Sequence, residues 1–138
     1  MPYVRNCDRM SNETPSLLPE RDWRLYVRDM VEFCDQVLLY TNGYDLESLL
    51  ADRMRLDATM RNLELIGEAA THVPAEVRDI APAIPWRQVV GTRNRLAHAY
   101  LTIEPETVWL IITEHLPPLR ERLAALAGDT AAAGADSD

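Results

Sequence analysis

Apolar residues in this chain recur in steps of three and four, and nowhere do they alternate with polar residues over a strand's length. That spacing lines one side of a helix with 3.6 residues per turn, whereas a half-buried strand would need strict alternation. Trp23, Val27, Met30, Val31, Cys34, Val37 and Leu38 form one such stripe. Leu56, Met60, Leu63, Gly67 and Ala70 form a second, and Val108, Ile112, His115, Leu116 and Leu119 a third. Stripes of this kind leave water only when helices pack side by side. The expected fold is therefore all-α: an antiparallel up-and-down helical bundle of four main helices plus short ones.

The punctuation between stripes sets the element boundaries. Pro19 suits a first helical turn, with Glu20 and Asp22 favouring the positive end of the helix dipole. Asn42-Gly43 is a stop signal, since both residues tolerate left-handed backbone. Asp45 can cap a short helix through Leu46, Leu49 and Leu50. Gly67 lies in mid-helix, where glycine costs about 1 kcal/mol against alanine, and so points to a close helix approach. Pro74, Pro82 and Pro85 bracket a short helical turn at about 75–80 and a connector; a further helix runs from Pro85-Trp86 to about His98. Pro105 opens the last helix, and Pro117-Pro118 should kink it by removing two successive donors. Residues 1–18 read as a flexible leader, 19–126 as one bundle domain, and 127–138 as a disordered acidic tail.

With 138 residues, the chain is large enough for one core. No apolar run approaches the ~20 residues of a membrane span, and Met1–Met10 is too polar for a secretion signal. The expected location is the cytoplasm. Cys7 and Cys34 are too few for a disulfide framework and lack metal-ligand spacing, and Cys34 on its stripe reads as a reduced core thiol. His72, His98 and His115 lie far apart, and Glu64 and Glu68, at helical spacing, have no histidine nearby, so neither a metal site nor a cofactor is expected.

The net charge of −8 argues against nucleic-acid binding over the whole surface. Its distribution is uneven, because no acidic residue falls between Asp79 and Glu104, while Arg87, Arg93, Arg95 and His98 do. A local basic window can still hold phosphates.

Within it, Gly91-Thr92-Arg93-Asn94-Arg95-Leu96-Ala97-His98-Ala99-Tyr100 gathers groups suited to cutting RNA. A base must take the proton from a ribose 2′-hydroxyl so that it can attack the adjoining phosphate, and histidine titrates near neutrality. Arginine can hold that phosphate through two parallel hydrogen bonds and offset the charge that develops on its oxygens. Asn94 can orient His98 or a phosphate, and Arg87 and Arg95 are further candidates for RNA contact. Arg93 and His98, five apart, are about 140° apart around a regular helix, whereas Asn94 and His98 share a face. Two copies about a twofold axis could bring these residues into one cleft, which makes a homodimer part of the expectation. Chance predicts roughly 0.3 Arg-x-x-x-x-His matches in such a composition, and roughly 0.01 once a tyrosine two residues later is required.

Arg93, His98 and Tyr100 in that spacing resemble the signature of the HepT-type toxins of the HEPN superfamily, and Asn94 matches their common Arg-Asn opening. Ile66-Gly67-Glu68-Ala69 is similar to the family's Ile-Gly-Glu-Ala helix, Pro85-Trp86 to the entry of its catalytic helix, and Val108-Trp109 with Leu116-Pro117 to its final helix. The resemblance covers about residues 20–126. It implies a metal-independent endoribonuclease acting as a homodimer, the toxin of a type VII-like HEPN/MNT toxin–antitoxin system. It also implies an MntA-type nucleotidyltransferase antitoxin that moves AMP from ATP onto Tyr100. Such a group would set bulk and negative charge beside Arg93. The competing reading is a non-catalytic helical adaptor that binds and restrains a nucleotidyltransferase.

Overall fold

The structure, a computed structural model, describes residues 22–99 and 103–128, with only the backbone described for His98 and Ala99. The leader at 1–18, Cys7, Pro19, Glu20, Tyr100 and residues 129–138 lie outside the described residues. Eight segments follow in order: α1 (Trp23–Thr41), α2 (Leu46–Ala51), α3 (Arg53–Ala70), α4 (Ala75–Asp79), α5 (Trp86–Ala99), α6 (Pro105–Leu110), a π turn (Ile111–His115) and α7 (Leu116–Leu126). Among the described residues there is no strand. The chain is an all-α bundle, as its periodicity predicts.

Local chemistry explains most boundaries. Asp22, expected inside the first turn, is instead the N-cap of α1, its carboxylate accepting the Arg24 N–H at 3.0 Å. Gly43 ends the α1 turn with φ +82°. Asp45 caps α2 reciprocally with Ser48, the carboxylate accepting the Ser48 N–H at 2.8 Å while the Ser48 hydroxyl accepts the Asp45 N–H at 3.0 Å. Asp52 caps α3 through the Arg55 N–H at 3.2 Å. These backbone donors, Ser48 and Arg55, hold both carboxyls below the ordinary aspartate range.

In space the long helices run α5–α3–α1–α7. The Arg55 guanidinium at the start of α3 donates to the Tyr40 carbonyl at the end of α1, and His72 just beyond α3 stacks on Tyr26 near the start of α1. These contacts make α1 and α3 antiparallel. Met30, Cys34, Val37, Leu116 and Leu123 are wholly enclosed between α1 and α7 and their neighbours. Burial pushes the Cys34 thiol up to about 12, consistent with a reduced core cysteine. No described helix is long and apolar enough to cross a membrane.

The last helix departs from expectation. The break precedes the prolines as a π turn in which the Leu116 N–H reaches back to the Ile111 carbonyl. This wider turn relieves the crowding of the Pro117 and Pro118 rings against the preceding carbonyls. It also moves His115 off the buried stripe; Val108, Ile112, Leu116, Leu119 and Leu123 are buried, whereas His115 is exposed. At the far end, Ala127 is 1% exposed and Gly128 turns the chain at φ +92°, so two residues expected in the tail complete the helix end.

Candidate active site

The helix that carries the chemistry, α5, is placed by its entry. The Arg78 guanidinium, just inside α4, donates to the Ala70 and Val73 carbonyls at 2.7 and 3.1 Å, satisfying the open end of α3. The same guanidinium lies over the Trp86 ring, 5.6 Å from its centroid. Trp86 is buried, and its indole N–H donates to the Ala81 carbonyl at 3.1 Å. Pro85 and Trp86 thereby pin the first turn of α5 to the end of α3.

Close packing then brings α5 onto α3. A Cβ at Gly67 would overlap the Cβ of Arg93 and stand 2.8 Å from the Val89 carbonyl oxygen. The close approach expected of this glycine is found, and its partner is the motif arginine itself. One residue on, the Glu68 carboxylate forms an ion pair with Arg93, Oε1 standing 2.5 Å from Nη2. On the other side, Arg93 Nη1 donates to Asn94 Oδ1 at 2.8 Å. Arg93 and Asn94 are thus brought together, and the guanidinium is held by an ion pair on one side and a hydrogen bond on the other.

The remaining candidates distribute around α5. Arg87, Asn94 and Arg95 are exposed. Arg87, Gly91, Asn94 and the backbone position of His98 fall on one stripe, spaced four, three and four residues apart along an unbroken helix. Gly91, in the middle of that stripe, has nothing within 4 Å of where a Cβ would stand. Arg93 lies off the stripe, and five residues along a regular helix separate it from His98 by about 7.5 Å of rise and 140° of rotation. One α5 therefore sets backbone positions 93 and 98 on different sides of the helix. Tyr100 lies outside the described residues.

Two expectations about acidic groups change. The window between Asp79 and Glu104 is free of acids along the chain, but Glu68 enters it from α3. The expectation that Glu64 and Glu68 have no histidine nearby also fails, since His72 Nε2 is 3.7 Å from Glu68 Oε2, one turn further along. Glu64 pairs with Arg61 at 3.2 Å, and among the described residues no group of three or more His, Cys, Asp or Glu could hold a metal ion.

Residues 30–126 match the family described as Ribonuclease HepT-like. The chain belongs to this HepT-like family. The protein named "Probable ribonuclease HepT" of Thermococcus cleftensis is 30% identical over 107 residues, covering 78% of this chain and 97% of the relative. From Methanocaldococcus jannaschii, "Putative RNase MJ1380" is 30% identical over 106 residues, 77% of this chain and 97% of its own length. "Putative RNase MJ1216" of the same organism is 28% identical over 112 residues, 81% and 93% of the two chains. No solved structure matches.

Within this HepT-like chain, the residue whose site role was missed is Glu68. Its sequence signal is its place next to Gly67 inside the Ile-Gly-Glu-Ala segment, where the glycine indicates close packing without naming the partner.

Proposed function

We propose that the chain is a metal-independent endoribonuclease and the toxin of a two-component system. The observation that carries this is Arg93, held beside Asn94 on the helix that carries His98, in a chain of the HepT-like family. In the proposed reaction His98 takes the proton from a ribose 2′-hydroxyl. The 2′-oxygen bonds to the adjoining phosphorus, the bond to the 5′-oxygen breaks, and a proton returns to that oxygen. The products are a 2′,3′-cyclic phosphate and a 5′-hydroxyl. Arg93 holds the phosphate and offsets the charge growing on its oxygens, while Arg87 and Arg95 contact the flanking backbone.

The angular separation of positions 93 and 98 supports a homodimeric site, in which arginine from one copy meets histidine from the other. The antitoxin is a MntA-type nucleotidyltransferase, and AMP on Tyr100 silences the site by adding bulk and negative charge. A location in the cytoplasm, where RNA and ATP are both present, fits this scheme.

The test is cleavage of an RNA panel by wild type, His98→Ala and Arg93→Ala, with and without antitoxin plus ATP. Wild type should cut, both variants should lose at least a hundredfold in rate, and antitoxin with ATP should add one or more AMP masses. Equal cutting by wild type and His98→Ala overturns the catalytic reading, and a Tyr100→Phe protein that gains the same mass overturns the modification site. The Glu68–Arg93 ion pair supports the second reading, a non-catalytic adaptor whose arginine is structural. It predicts no cleavage and no growth arrest.

A further inference from the structure

We propose that Glu68 is a positioning residue of the RNA-cleaving site: reaching across from α3, it fixes the Arg93 guanidinium in the orientation that receives the phosphate. The inference rests on the reading of Arg93 and His98 as an RNA-cleaving pair.

An arginine on a helix surface samples many rotamers, and each is lost when it must meet a phosphate in one geometry. Here that ordering is built into the fold. Gly67 lets α3 touch the Cβ of Arg93, which places the next residue, Glu68, against the guanidinium. Asn94 holds Nη1 on the other side at 2.8 Å. The fork is held by groups from two helices, through an ion pair with Glu68 and a hydrogen bond to Asn94, while the Arg93 side chain stays 33% exposed to a ligand. The carboxylate has a further neighbour at the end of α3. His72 Nε2 lies 3.7 Å from its second oxygen, and the His72 ring stacks on Tyr26 with centroids 4.6 Å apart and planes at 15°. A line of contacts thus runs from α1 through the end of α3 to α5 and ends at Arg93.

The carboxylate has two opposing effects on a polyanionic substrate. It aims the arginine, which favours the chemical step, and its charge repels the phosphate, which weakens binding. A pair that only stabilised the fold would not separate the two. Glu68→Gln keeps the shape and removes the charge. Its kcat should fall by about 30-fold, the scale of a misaimed catalytic group, while KM for RNA stays level or falls a few-fold. Glu68→Asp, with the charge retained on a shorter arm, should recover kcat to within about fivefold of wild type.

The experiment measures kcat, KM and melting temperature for wild type, Glu68→Gln, Glu68→Asp and His98→Ala on one RNA. A kcat loss in Glu68→Gln without a rise in KM, with recovery in Glu68→Asp, supports the inference. If His98→Ala is inactive but Glu68→Gln keeps kcat within twofold, this inference alone falls. A kcat loss that tracks a lower melting temperature equally in the Gln and Asp variants overturns it, because the pair is then purely structural. If wild type and His98→Ala cut alike, the ribonuclease reading falls first.

Discussion

Gly67, in the last turn of α3, and Gly91, in the middle of α5, both lie inside helices where alanine would be the better helix former, yet their surroundings are opposite. Around Gly67 the space is filled: a Cβ would overlap Arg93 and crowd the Val89 carbonyl. Around Gly91 it is open to 4 Å. The first glycine is explained by packing within the chain. The second has no explanation among the described residues, and it lies on the stripe of Arg87, Asn94 and position 98, all of them positions assigned to the proposed RNA site. The contrast separates the side of α5 that builds the fold from the side left for something else.

The largest expected effect tests the filled side. Gly67→Ala should destabilise the fold by about 3 kcal/mol in urea denaturation, since helix and backbone must separate despite the better helix propensity of alanine. A neutral change would mean that α3 and α5 are not locked together. The enclosed side also has a pH signature through Cys34, whose thiol is pushed up from 9.0 to about 12 by burial. The folded chain then keeps its proton where the unfolded chain loses it. Stability contributed by the neutral thiol is fully present below pH 9 and should fall by about 1.4 kcal/mol per pH unit between 9 and 12. Denaturation of wild type beside Cys34→Ala over that range measures the difference in slope, and equal slopes would place the thiol in contact with water.

The open side should respond with the opposite sign. Gly91→Ala should stabilise the isolated chain by about 1 kcal/mol, because nothing obstructs the new methyl group. If the face is the proposed site, RNA cleavage should drop at the same time; a variant that is more stable and fully active would break the comparison. The smallest effects belong to the exposed cations. Arg87→Ala and Arg95→Ala should each shift stability by less than about 0.5 kcal/mol. Each should also flatten the dependence of log KM on log salt by about 0.7 to 0.9 if it contacts a phosphate.

The filled side was largely legible in the sequence and the open side only in part, for a physical reason. Stripes, caps and stop signals are local: Asp45, Gly43, Pro85 and the steps from Val27 to Val37 work through neighbours within a turn or two, so α1, α2 and α5 could be read directly. Gly67 announced a close approach but not its partner. Glu68 and Arg93 meet only because α3 lies on α5, so a window without acids along the chain contains one in space. His115 was misplaced because periodicity assumes a constant turn, and the π turn before Pro117-Pro118 is not one. The Arg93–His98–Tyr100 spacing was visible from the start. Of these three, the Arg93 side chain is described, His98 is described as backbone, and Tyr100 lies outside the described residues.

The π turn has a mechanical consequence. Pro117 and Pro118 carry no amide hydrogen, so the Thr113 and Glu114 carbonyls have no donor one turn ahead, and the rod formed by α6 and α7 has a joint at that point. On one side of the joint α6 leans on the short α2; on the other α7 lies along α1 in the closed core, tied by Arg120 Nε to the Asp35 carboxylate at 2.8 Å. Amide hydrogen exchange is expected to divide there, with α2 and α6 opening together at a lower free energy than α1, α3 and α7. The final helix would then behave as two cooperative units that share one strand of backbone: one anchored in the bundle, the other free to breathe.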